Sequence, residues 1–172
     1  MEKMGLKDTL NLAHQTLCKA GIDHALIGGL GLAMLGIHRA TFDVDFLIDG
    51  ENKTDTMNAM SSAGWTLAME TENVLHFDGK GRVDFLLANR PHSKQMLKEA
   101  EQTNFGIKNV KAEGIIGLKI QAYINDKDRE FQDKADIKSI IDKTANLDWP
   151  QVKMYAELFG EWQFIESLRK KK

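Results

Sequence analysis

Three aspartates in apolar company are the residues of this chain best placed to do chemistry. Asp43 and Asp45 stand two apart in FDVDFLID, residues 42–49, and Asp84 stands in GRVDFLLA, residues 81–88. In extended backbone, residues i and i+2 share a face about 7 Å apart, so one stiff element holds the first pair together. Acidic residues two apart occur six times, Glu70/Glu72, Glu99/Glu101 and Asp126/Asp128 among them, so spacing alone decides nothing. What sets Asp43 and Asp45 apart is their alternation with Phe42, Val44 and Phe46, which predicts a strand with a buried apolar face and carboxylates on the other. Asp84 repeats the pattern between Val83 and Phe85. A single acidic strand is an ordinary solvated face. Three converging carboxylates repel one another unless a cation sits between them, and all-oxygen donors suit Mg²⁺ or Mn²⁺.

Gly28 and Gly29 end the apolar run HALIG and open LGLAMLGIH. Without a Cβ, a phosphate can approach the backbone, and the N–H groups at a helix start are donors for it. The same pair serves equally as a plain strand-to-helix turn, and it gains meaning only beside the aspartates.

The elements that must position these residues follow from periodicity. Leu6, Leu10, Ala13, Leu17 and Cys18 predict a helix over 5–20 that stops at Gly21. A short strand over 24–28, a helix from Leu30 to Ile37 and the strand 42–49 follow, with Asp49-Gly50 as a turn. A helix over 53–63 stops at Gly64, and WTLAME, VLHFDG and GRVDFLLA read as strands, the last two joined by a hairpin at DGKG, 78–81. A helix near 92–101 and a weak strand near 105–110 precede a chain that is helix-patterned from 112 onward: AEGIIGLKIQAYI, DREFQDKADIKSIIDKTA, and two short helices around Met154 and Phe164. This order predicts an α/β (α+β) fold, a mixed sheet with helices on its faces and a C-terminal helical part. The division expected is a sheet domain over 1–111 and helices over 112–172 packed on it as one structural unit.

Composition narrows the function classes. The chain has 172 residues, 42% hydrophobic and 28% charged, with two prolines and no low-complexity run, which is the profile of a folded domain. Its 23 basic and 25 acidic residues give a net charge of −2, so no global field draws it to nucleic acid or membrane. The one basic run, Arg169, Lys170, Lys171 and Lys172, reads as a solvated helix end. Cys18 is the only cysteine, which excludes an intrachain disulfide and a cysteine cage, and its apolar neighbours place it in the core. No apolar run reaches transmembrane length, and the expected location is cytoplasmic. His24, His38 and His76 read as partly buried rings rather than metal ligands, and His92 as a surface residue at a helix start. Met34, Met57, Met60, Met69 and Met96 read as core filling, and Trp65, Trp149 and Trp162 as packing anchors.

The run from the glycine pair through a short helix to Arg39-Ala40-Thr41-Phe42-Asp43-Val44-Asp45, with Asp84 on a later strand, resembles the polymerase-β-like nucleotidyltransferase superfamily. It looks most similar to the AbiEii-type toxin nucleotidyltransferases and their small relatives, whose Arg-x-Ser/Thr-x-Asp-hydrophobic-Asp pattern it matches position by position. The resemblance spans about residues 24–140, with Lys119 in GLKIQAY and Arg129, Asp133, Lys134 and Asp136 in REFQDKADIKSII similar to the family's later features. It implies that Asp43 and Asp45 hold two Mg²⁺ ions, and that Asp84 shares one of them and takes the acceptor's proton. It implies further that Gly28 and Gly29 hold the triphosphate, with Arg39, Thr41, Lys119 and Asp136 as nucleotide-side contacts. The activity implied is transfer of a nucleoside monophosphate from a nucleoside triphosphate to a hydroxyl on RNA such as tRNA, on protein or on a small molecule, with an antitoxin as partner. The alternative is a non-catalytic nucleotide sensor or partner-binding protein of the same fold.

Overall fold

The structure, a computed structural model, describes residues 3–171. Within it the alternation of VDFLID closes as strand β2, Val44–Asp49, at the centre of a mixed sheet. The other strands are β1 (His24–Leu26), β3 (Thr66–Glu70), β4 (Val74–Asp78), β5 (Val83–Ala88), β6 (Glu101–Gln102) and β7 (Lys108–Asn109), in the spatial order β3-β4-β5-β2-β1-β7-β6. β2 runs parallel to β5 and antiparallel to β1, so its backbone is paired on both edges.

One face of the sheet carries the core. Phe46 and Phe85 are fully buried and stack with ring centroids 5.9 Å apart, and Phe77 meets Phe85 edge-on at 5.8 Å. Helices α1 (Leu6–Lys19) and α3 (Lys53–Ser62) pack together, and α4 (Pro91–Lys98) lies against β2 and β5. The chain divides into two compact units, one of Met1–Gly31 and His38–Val110 and the other of Leu32–Ile37 and Lys111–Lys172. The sheet belongs to the first.

In the second unit, α5 (Ala112–Asn125) is buried almost all round, as expected of a helix apolar on every face, with α6 (Glu130–Lys143) and α7 (Trp149–Leu158) packed on it. A 3₁₀ turn, Lys127–Arg129, links α5 to α6, and α8 (Trp162–Lys170) follows α7. Asp148 caps α7 by accepting from the Gln151 N–H at 3.1 Å. At the basic tail, the Arg169 guanidinium lies 4.7 Å from the centre of the Trp149 ring, and Lys172 lies outside the described residues. No helix among the described residues is long and apolar enough to cross a membrane.

Several local expectations are corrected. β2 begins at Val44, not Phe42, and Phe42 is 85% exposed. Pairing to the β5 side starts with the Val44 N–H donating to the Arg82 carbonyl at 3.1 Å, while the Thr41 hydroxyl donates to the Asp43 carbonyl at 3.3 Å and bends the chain ahead of it. The short helix α2, Gly28–Met34, starts on the glycine pair itself. The helix expected over 92–101 stops at Lys98, because Glu101 and Gln102 pair with β7 through a turn at Gly106. Cys18 is exposed: the buried stripe of α1 is Thr9, Ala13 and Leu17, and the next residue lies about 100° further round the helix. His38 is exposed as well, and Met69 is half exposed.

Candidate active site

The register of the sheet sets two of the three expected acids opposite each other. On adjacent parallel strands Asp45 stands directly opposite Asp84, between the buried pairs Val44/Val83 and Phe46/Phe85. Neighbouring strands lie about 4.8 Å apart, so two carboxylates share one face at close quarters. Asp43 sits one step before β2, outside the ladder, with Arg82 Nη1 at 3.6 Å from its carboxylate.

The glycine pair is fitted against the same segment. Gly28 has φ +61°, which favours a residue without a side chain, and a Cβ there would lie 2.2 Å from Asp45 Oδ2. A Cβ on Gly29 would lie 2.6 Å from Thr41 Oγ1. The Ile27 N–H donates to the Asp45 carbonyl at 3.0 Å. Thus Thr41 and Asp45 occupy the space that two side chains would otherwise fill. Arg39 is exposed, and its Nη1 lies 3.5 Å from the Ala40 carbonyl.

The sheet adds a residue that sequence reading missed. His76 of β4 stands opposite Asp84, and its Nδ1–H donates to Asp84 Oδ1 at 2.7 Å. Burial pushes the Asp84 carboxyl above its ordinary range and the Asp43 charge adds to this, while the His76 bond and Arg82 pull it down. Arg82 is the second residue missed. Both partners come from the β4–β5 hairpin, and each holds a different acid: Asp84 is turned to His76, Asp43 to Arg82, and Asp45 lies over Gly28.

As a donor set, Asp43, Asp45 and Asp84 fit a hard divalent cation such as Mg²⁺ or Mn²⁺ in kind and charge, but their oxygens do not all come within 4.8 Å of one another. A half-buried carboxyl raised by burial, with a neighbour's charge adding to it, is a site where added positive charge is favourable.

Lys119 and Asp136 lie in the second unit and meet each other there. The Lys119 ammonium, on a residue only 6% exposed, contacts Asp136 Oδ2 at 2.7 Å and Asp133 Oδ1 at 3.0 Å. Arg129 Nε donates to Asp133 Oδ2 at 3.2 Å, and Gln132 donates to Asp136 Oδ1 at 2.9 Å. Lys134 stands apart, paired with Glu130 at 2.6 Å. This is a fully engaged ion network joining α5 to α6.

No protein-family model and no curated protein matches the chain. Solved structures do. The solution structure of antibiotic-resistance factor ANT(2″)-Ia is similar over 95% of this chain and 96% of that one, at 14% identity and a TM-score of 0.66. The crystal structure of ANT(2″)-Ia in complex with adenylyl-2″-tobramycin covers 95% and 94% at 14% identity, with a TM-score of 0.54. Lincomycin-bound LnuA, a lincosamide antibiotic adenylyltransferase, covers 83% of this chain and 100% of that one at 12% identity, with a TM-score of 0.53. At such identities the likeness speaks for architecture: the chain has the mixed α/β fold of the nucleotidyltransferases.

Proposed function

We propose that the protein is a nucleotidyltransferase that moves a nucleoside monophosphate from a nucleoside triphosphate to a hydroxyl group of a small molecule. The observation that carries this reading is the facing of Asp45 and Asp84 on parallel strands, with the backbone of Gly28 pressed against Asp45. That arrangement sets oxygen donors against the backbone that the resemblance assigns to phosphate. A fold shared nearly end to end with ANT(2″)-Ia supports it.

Asp43, Asp45 and Asp84 would hold Mg²⁺ or Mn²⁺, which supplies charge neutralisation for the triphosphate and the departing pyrophosphate. The acceptor oxygen bonds to the α-phosphorus as the bond from that phosphorus to the β-phosphate bridging oxygen breaks, and pyrophosphate leaves. Asp84 receives the acceptor's proton on Oδ2, its Oδ1 being engaged by His76, which fixes the plane of the carboxylate. Gly28 and Gly29 make room for Asp45 and Thr41, and their phosphate-side role, like that of Arg39 as a phosphate-side cation on the same segment, enters through the sequence resemblance. Lys119 and Asp136 enter this reading through the sequence resemblance alone.

A small acceptor is favoured over RNA because two of the similar structures hold adenylyl-2″-tobramycin and lincomycin, and because a net charge of −2 supplies no general attraction for a polyanion. The AbiEii-type assignment, an RNA or protein acceptor and an antitoxin partner rest on the Arg39–Asp45 motif. The test is label transfer from each α-labelled nucleoside triphosphate, with Mg²⁺, to an aminoglycoside, a lincosamide and total tRNA, alongside an Asp43→Asn/Asp45→Asn control. Label on a small acceptor that vanishes in the double variant is the expected result. Label on tRNA moves the assignment to RNA, and nucleotide binding without transfer to any acceptor supports the sensor reading.

A further inference from the structure

On the sheet face opposite the aspartates, three side chains gather that the proposed reaction does not use. His14 and Cys18 are one helical turn apart on α1, and His24 opens β1. His14 Nδ1 lies 2.7 Å from His24 Nε2, Cys18 Sγ lies 3.7 to 3.8 Å from the His14 ring nitrogens, and one ligand atom from each of the three residues falls within 4.8 Å of the others. Among the described residues, no other trio of His, Cys, Asp or Glu does so. We propose that His14, Cys18 and His24 form a binding site for a zinc-class divalent ion, tying α1 to the edge of β1.

The orientation of His24 is that of a ligand. Its Nδ1 bonds the Ile22 carbonyl at 2.7 Å, so the proton sits on Nδ1 and the Nε2 lone pair faces His14. A backbone acceptor on the far nitrogen is how metal-bound imidazoles are commonly held. The ring is 94% buried and stands edge-on to Phe46 at 5.1 Å, which prevents it from swinging away. Zinc bonds of about 2.0–2.1 Å to nitrogen and 2.3 Å to sulfur set tetrahedral donor atoms roughly 3.3 to 3.6 Å apart. The histidine pair, 2.7 Å apart, therefore opens by about 0.6 Å, and the three donor atoms, within 4.8 Å of one another, draw in around the ion. Uptake releases the Cys18 thiol proton to solvent and shifts the His14 proton to Nε2. Cys18 is exposed, so the ion enters from solvent and a water completes four-coordination.

Co²⁺ is the probe, because a thiolate ligand gives it a near-ultraviolet charge-transfer band that carboxylates do not. The full chain is expected to bind one equivalent of Co²⁺ with that band, to lose the band on Zn²⁺ addition, and to melt higher with Zn²⁺. Cys18→Ser, at an exposed position that leaves the fold intact, is expected to abolish the band, and His14→Gln to weaken binding at least about tenfold. Absence of the band at millimolar Co²⁺, its persistence in Cys18→Ser, or an unchanged affinity in His14→Gln would each overturn the site. None of these readouts depends on nucleotide transfer.

Discussion

Gly28 has no side chain because Asp45 occupies the place where one would stand. Gly28→Ala must both accommodate φ +61° and displace a carboxylate 2.2 Å away, so a loss of about 1–3 kcal/mol in chemical denaturation is expected, with nucleotide binding falling alongside. The carboxylates behave in the opposite sense. Burial raises the Asp84 carboxyl and the Asp43 charge adds to it, so these two acids repel one another. Asp45→Asn removes a charge from this cluster while keeping its shape. It is expected to melt at the same temperature or higher, and to lose transfer activity by about a thousandfold, the equivalent of roughly 4 kcal/mol of transition-state stabilisation. A variant that lost stability and activity together would show that Asp45 is a structural residue, not a site residue.

At the scale of elements, the alternation of FDVDFLID identifies the central strand but overstates its length. Phe46 and Phe42 look alike in the sequence, yet Phe46 is fully buried against Phe85 and Phe42 is 85% exposed. Phe46→Ala is therefore expected to cost about 3–5 kcal/mol in urea denaturation, and Phe42→Ala less than about 0.5 kcal/mol. The difference depends on where pairing with β5 begins, which is set by the Arg82 carbonyl and so by a residue nearly forty positions away. His76 escaped sequence reading for the same reason. DGKG announces a hairpin but leaves its register open by one residue, and that residue decides whether His76 faces Asp84 or Val83. Local patterns carry the aspartates, the glycine pair and the long helices. Residues whose role arises across strands, His76 and Arg82, and a two-residue strand as polar as β6 leave no periodic trace. Cys18 shows a further limit, because apolar neighbours in sequence are not neighbours on a helix face.

At the scale of the whole molecule, the two units are stabilised by different chemistry, and pH separates them. The sheet unit rests on aromatic stacking between strands, which does not titrate. The helical unit has at its centre the fully buried Tyr123 of α5, whose hydroxyl donates to Glu161 Oε2 at 2.5 Å, just ahead of α8. Burial, reinforced by the bond to Glu161 and by the carboxylates of Glu130 and Asp133, pushes the Tyr123 hydroxyl far above the ordinary tyrosine value of 10.0. The folded chain then keeps a proton that the unfolded chain releases, so the contribution is fully present below pH 10 and declines as pH rises beyond it. The limiting slope is about 1.4 kcal/mol per pH unit for one group. Hydrogen exchange at alkaline pH is expected to show protection in α5, α7 and α8 falling with that slope, beyond the fall caused by faster intrinsic exchange. Tyr123→Phe cannot ionise, so it is expected to start about 1–3 kcal/mol less stable at pH 7 and to lose the extra slope above pH 10. If the variant kept the slope, the Tyr123–Glu161 bond would be a contact without a share in the pH response.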